Sequence, residues 1–169
     1  MTLEKSGVPD NILRKNEKLT DSEYAEIKKH TTIGAHILST SKMFQDIIPI
    51  VEHHHEKFDG TGYPDNLKGD EIPYLARVTA VADCFDAMTS KRIYRDSLSL
   101  DFVKNEIKKI SGTQLDPNIS NAFLDLLEND YDSISEIQNK YKFWKLIKNF
   151  THSNIRKNSW FFYLYFINY

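Results

Sequence analysis

The sequence predicts an all-α fold. Three observations carry this prediction. Apolar residues recur three and four apart in most segments, capping signals mark several segment starts, and no stretch alternates apolar and polar residues between turns. Gly and Pro are sparse, and most fall in two places: "SGVPDN" near the start, and "DGTGYPDNLKGDEIP" from Asp59 to Pro73. Both read as breaks between helices.

The elements follow in order. Pro9 suits the first turn of a short helix over Pro9–Arg14. "TDSEYAEIKKH" opens with Thr20 as N-cap and Glu23 three residues on, a capping-box pattern. "TIGAHILST" supplies a second short helix. "MFQDIIPIVEHHHEK" places Phe44, Ile47, Ile48 and Val51 on one stripe. "YLARVTAVADCFDAMTS", rich in small apolar residues, reads as a buried central helix. "SLDFVKNEIKKI" carries Phe102, Val103, Ile107 and Ile110, and "DPNISNAFLDLL" starts at Pro117 with Ile119, Phe123, Leu126 and Leu127 turned inward. After Glu128 the character changes. "YDSISEIQNKYKFWKLIKNF" suits one more amphipathic helix, and the aromatic end from Trp160 follows no clear period. The expected division is therefore 1–128 for the main unit and 129–169 for a helical extension with an aromatic tail.

Composition narrows the function. The chain has 169 residues, 40 % hydrophobic and 27 % charged, with a formal net charge of −2. Nothing in that balance suggests a nucleic-acid partner, although a few local Arg or Lys would serve a small anion. A lone Cys84 excludes an internal disulfide and fits a cytoplasmic setting. The run "WFFYLYFI" is far shorter than the roughly 20 residues a membrane-spanning helix needs.

Chemistry concentrates around "HHHEKFDGTGYP". Adjacent helical residues point about 100° apart, so at most two of the three histidines reach one cavity. Val51, His54 and His55 share a face, which leaves His53 outward. A neutral imidazole pair beside an apolar stripe is suitable material for a metal site. Asp83, between Ala82 and Cys84 and near Val81 and Phe85, reads as a buried carboxylate that a cation would stabilise. Arg92 and Arg95, three apart, could clamp phosphate oxygens. Tyr63 sits between Gly62 and Pro64 in a stiff turn able to present its ring to a base. Each also has a plainer reading, as a surface His, a helix-face carboxylate, cations against a helix dipole, or a ring packed under its own loop.

The segment from His54 to Pro64 resembles the signature of the HD-GYP family, the bacterial cyclic di-GMP phosphodiesterases of signal transduction. "GVPDNIL", "KLTDSEYAEIKKHTTIGAHIL", "LKGDEIPYLARVTAVADCFDAMTSKRIYR" and "GTQLDPNISNAFL" match the family in order and spacing, roughly from Lys5 to Leu127. The resemblance implies a helical bundle of the HD/HD-GYP type and a centre of divalent metal, iron or manganese. It also implies in-line attack of an activated water on a phosphodiester. By position it implies His30, His54, His55 and Asp83 as metal ligands, and Tyr63, Arg92 and Arg95 as contacts for cyclic di-GMP. Lys5 then aligns with the lysine of the family's "HD-x-G-K" segment. His30 enters through the resemblance alone.

One departure sets a further expectation. The family's His-Asp dyad would fall at positions 1 and 2, where Met1 and Thr2 stand. The expected domain is thus a partial one lacking its N-terminal helices, with one ion or none and impaired turnover. The alternative is a non-catalytic module binding cyclic di-GMP, metal or a protein. Apolar surface left uncovered by absent helices, with the aromatic tail, would favour a protein partner or self-association.

Overall fold

The structure, a computed structural model, describes residues 9, 12, 15, 17–89 and 98–137. Among these residues the chain is helical and has no strand, as expected; an isolated bridge joins Ser111 and Leu115. The helices are α1 (Asp21–Lys28), α2 (His30–Ser39), α3 (Ile48–His53), α4 (Tyr74–Thr89), α5 (Leu100–Ile110) and α6 (Pro117–Asn129). Two 3-10 turns, Lys42–Ile47 and Gly69–Glu71, interrupt the connections, and residues 131–137 are helical. Most of the predicted Pro9–Arg14 helix lies outside the described residues, as do residues 138–169 of the predicted extension.

Local chemistry sets several boundaries. The Thr20 hydroxyl accepts from the Glu23 amide at 3.3 Å, and the Glu23 carboxylate accepts from the Thr20 amide at 2.7 Å, which completes the capping box of α1. Asp116 caps α6 by accepting from the Asn118 and Ile119 amides, with Pro117 at the first helical position. The α3 segment differs from its predicted span. Pro49 cannot occupy a helix interior, so α3 starts at Ile48 and the residues before it take a 3-10 turn. That shift of phase leaves Phe44 and Ile47 exposed, against the inward stripe expected of them.

Helices α4, α5 and α6 pack on one another around Val81, Phe85, Met88, Val103, Ile107, Leu115, Leu124 and Leu127. A fully buried Leu is worth about 1.5–3 kcal/mol, so this cluster is the main apolar anchor of the described fold. Phe102 and Leu126 were expected inward but are exposed, because their neighbours Val103 and Leu127 occupy the core direction about 100° away. Helix α4 is amphipathic and not wholly buried: Ala76, Val81, Phe85 and Met88 are covered, while Asp83 and Asp86 are exposed. The burial argued for Asp83 therefore does not hold. It sits one step round the helix from the core stripe. The remaining elements form a second layer, in which α2 packs along α3 and α3 reaches α4.

Two predictions arise from the core. Asp116 is 4 % exposed and accepts a hydrogen bond from Arg77 Nη1 at 2.6 Å in addition to its capping bonds. Asp116→Ala removes the cap and one partner of a buried pair, while Arg77 keeps Asp70 at 2.6 Å. The expected cost is about 2 kcal/mol, read as a lower urea midpoint at unchanged slope. A midpoint equal to the parent's would count against this reading of Asp116.

Cys84 packs against the same core. Burial first, then the nearby Asp83 and Glu106 carboxylates, pushes its thiol up to about 12. At pH 8 only about one molecule in ten thousand would carry the thiolate. A disulfide reagent at that pH should label the folded, metal-free chain far more slowly than free cysteine. Because the folded value is raised, this group's contribution to stability is constant below the unfolded value of about 8.5 and falls as the pH rises above it.

Candidate metal centre

Residue His30 opens α2, and its position follows from the tight α1–α2 junction at Lys29. It is 4 % exposed. Its Nδ1 lies 2.7 Å from the Ile27 carbonyl. A carbonyl can only accept, so Nδ1 carries the proton and Nε2 holds the lone pair. His54 repeats the arrangement as the C-cap residue of α3: it is buried, and its Nδ1 donates to the Val51 carbonyl at 2.8 Å. In both residues the backbone fixes the tautomer and aims Nε2 away from the helix, the outer support commonly found behind metal-binding imidazoles.

The three predicted histidine ligands meet. Ring centroids stand 5.7 Å apart for His30 and His54, 5.0 Å for His30 and His55, and 4.1 Å for His54 and His55. One ring nitrogen from each lies within 4.8 Å of the others. Three imidazoles converging from two helix ends have the donor set and spacing to share one divalent ion of the borderline class. Two buried imidazoles with backbone-fixed tautomers, and a third half-buried beside them, fit such an ion. Asp83 is not among the residues whose ligand atoms gather within 4.8 Å here, although it too makes an interaction.

Tyr63 closes one side. Its ring is tilted 31° to His55 at 5.0 Å and stands edge-on to His30 at 6.3 Å and to Tyr24 at 6.4 Å. The Tyr63 amide donates to the His55 carbonyl at 3.3 Å, which ties the signature turn to the histidine pair. Gly62 makes this approach possible: a Cβ there would stand 2.2 Å from the Lys57 nitrogen and 2.4 Å from Glu56 Cα. Lys28 Nζ lies 5.1 Å from the Tyr24 ring centre and 5.9 Å from that of Tyr63. It brings a cation to the rim. Spacing had singled out neither Tyr24 nor Lys28, because their proximity to Tyr63 comes from the α1–α2 junction and not from chain neighbourhood.

The loop is held from behind as well. The Phe58 and Asp59 amides donate to the Gln114 and Thr113 carbonyls at 3.1 and 2.8 Å, on the turn between α5 and α6. Asp59 Oδ1 accepts from the Thr61 amide and hydroxyl at 2.9 and 2.7 Å. Glu56 is 3 % exposed, and its Oε1 accepts from the Asp65 amide at 2.7 Å. Burial raises the Glu56 carboxyl above its ordinary range, partly offset by the Asp65 amide. His53 was expected to point outward. Its side chain is instead only 14 % exposed and faces Glu56 and Asp65, because the helix ends there and the loop folds back over it. Lys5, Arg92 and Arg95 lie outside the described residues, as do Met1 and Thr2. Among the described residues no helix is long and apolar enough to cross a membrane.

The profile of the family described as HD domain matches residues 2–119. A cyclic di-GMP phosphodiesterase of Thermotoga maritima is 45 % identical over 124 residues, covering 72 % of this chain and 34 % of the relative. One from Vibrio cholerae is 42 % identical over 127 residues, covering 71 % of this chain and 26 % of the relative. A 3'3'-cGAMP-specific phosphodiesterase of Vibrio cholerae is 40 % identical over 123 residues, covering 72 % and 24 %. The chain thus spans about a quarter to a third of the length of these curated relatives.

Proposed function

The chain belongs to the HD-GYP branch of the HD domain family, and on that premise we propose that it is a metal-dependent phosphodiesterase module for cyclic dinucleotides, cyclic di-GMP first. The observation that carries the reading is the convergence of His30, His54 and His55, two of them with backbone-fixed tautomers, against the ring of Tyr63. His30, His54 and His55 would hold the divalent ion, iron or manganese; Asp83, assigned from its sequence position and by the family resemblance, is not among the ligand atoms gathered here. When bound, the ion supplies Lewis-acid activation of a water and neutralises charge on the phosphoryl group.

The protein's own groups position the ligand. Tyr63, steadied by Gly62 and by the hydrogen bond its amide donates to the His55 carbonyl, offers a ring face for a guanine. Arg92 and Arg95 are assigned the phosphates, as bidentate donors three apart in sequence. Lys5 is assigned a catalytic role through its alignment with the lysine of the family's HD-x-G-K segment. The covered faces of His30 and His54 keep bulk water from the inner edge of the cluster.

One sequence observation favours a second reading, binding without turnover: Met1 and Thr2 occupy the places of the family's His-Asp dyad. A single assay separates the two. The chain is loaded with manganese or iron, and cyclic di-GMP and 3'3'-cGAMP are offered in parallel. Linear or mononucleotide product that disappears in His54→Ala supports the phosphodiesterase. Saturable binding with no product supports the binding module. Absence of both metal and nucleotide binding sinks the proposal.

A further inference from the structure

The histidine turn has two sides, and only one faces the triad. On the other, His53, Glu56 and Asp65 bring one ligand-type atom each within 4.8 Å of one another. His53 Nδ1 lies 3.7 Å from Asp65 Oδ2 and 4.0 Å from Glu56 Oε1. Both separations exceed hydrogen-bond range. His53 Nδ1 is buried without a hydrogen bond among the described residues, and Glu56 Oε2 has none within 3.5 Å, with the Leu67 amide near its carboxylate. The Glu56 side chain is 0 % exposed. Burying a carboxylate is costly unless a cation or full hydrogen bonding offsets it. A third carboxylate, Glu52, stands 3.9 Å from His53 Nε2.

We propose that His53, Glu56 and Asp65 form a second divalent-cation site, separate from the His30–His54–His55 cluster and of the zinc or manganese class. Ligand atoms 2.0–2.2 Å from a tetrahedral zinc stand about 3.4 Å apart; the two edges to His53 Nδ1 are 3.7 and 4.0 Å and the Glu56–Asp65 edge lies within 4.8 Å, so a modest closure of the loop on the turn would bring the three to an ion. A nitrogen with two carboxylates is a donor set that such ions accept. Glu52 stands on the opposite, Nε2 side of His53. The ion would also offset the charge of three carboxylates gathered round one imidazole. The Asp65 side chain is 59 % exposed and opens the site to solvent. Residues 53 and 56 belong to the histidine turn, while residue 65 belongs to the loop that presents Tyr63. An ion here fastens one to the other.

The proposal stands independently of any phosphodiesterase activity, and its test reads metal alone. Zinc is titrated into the full chain against a chromophoric chelator, with bound metal counted by mass spectrometry. In a His30→Ala/His54→Ala background one ion per chain should remain, and adding Asp65→Asn should weaken it by about tenfold or more. In the otherwise natural chain, Asp65→Asn and His53→Ala should each remove one class of zinc site and leave the other. Asp65 is on the surface, so the variant keeps its fold, which circular dichroism verifies. Unchanged stoichiometry and affinity in both single variants would overturn the second site. So would a folded double variant that binds no zinc.

Discussion

In an Asp65→Asn background, which removes the second site proposed above, His54→Ala should lower metal affinity by more than about 100-fold, measured with manganese or zinc against a competing chelator. Loss of an outer partner behind a ligand typically costs 10–100-fold, and removing the ligand itself costs more. His54 is also one of the two imidazoles whose tautomer the backbone fixes, and His30, held in the same way, cannot take its place by rotating. His36→Ala is the control. His36 is exposed on α2, away from the cluster, and its variant should bind metal as the parent does. Parent-like affinity in His54→Ala would remove the triad from consideration as the centre.

For Gly62→Ala the expected result is a loss of stability of about 3 kcal/mol, the upper end of the range for overpacking. For a chain of this size that corresponds to a melting temperature lower by roughly 6–12 °C. The new methyl group would meet the backbone of Glu56 and Lys57, and no side-chain rotation relieves a clash with backbone. The loop must lift, and the Tyr63 amide then leaves the His55 carbonyl. Cyclic di-GMP binding should weaken in parallel, as Tyr63 moves away from the cluster. A melting temperature within about 2 °C of the parent would show that the loop does not depend on this contact.

What the sequence revealed depended on how local the physics was. The start of α1 at Thr20 and of α6 at Pro117 could be read directly, because a cap involves residues two or three apart. His54 and His55 were legible from their place beside Val51. Their meeting with His30 was not, because it depends on how α2 packs along α3. Phe44 and Ile47 misled, since a periodic pattern says nothing about the phase break that Pro49 imposes. The burial expected of Asp83 came from its apolar chain neighbours, yet on a helix those neighbours point elsewhere. The His53–Glu56–Asp65 group had no periodic signal at all. It forms only when the loop doubles back, and the bond that closes it, from the Asp65 amide to Glu56, spans nine residues of irregular chain.

The bonds from Phe58 and Asp59 to the Gln114 and Thr113 carbonyls carry a consequence for anyone building a biosensor from this domain. A fluorescent reporter spliced between Ile110 and Leu115 would pull directly on the signature turn, so its signal should follow the state of the ligand site. The same insertion at the corner around Met43 would meet only short-range backbone bonds and an exposed side chain. That position suits a silent attachment point, and the α5–α6 turn suits the readout.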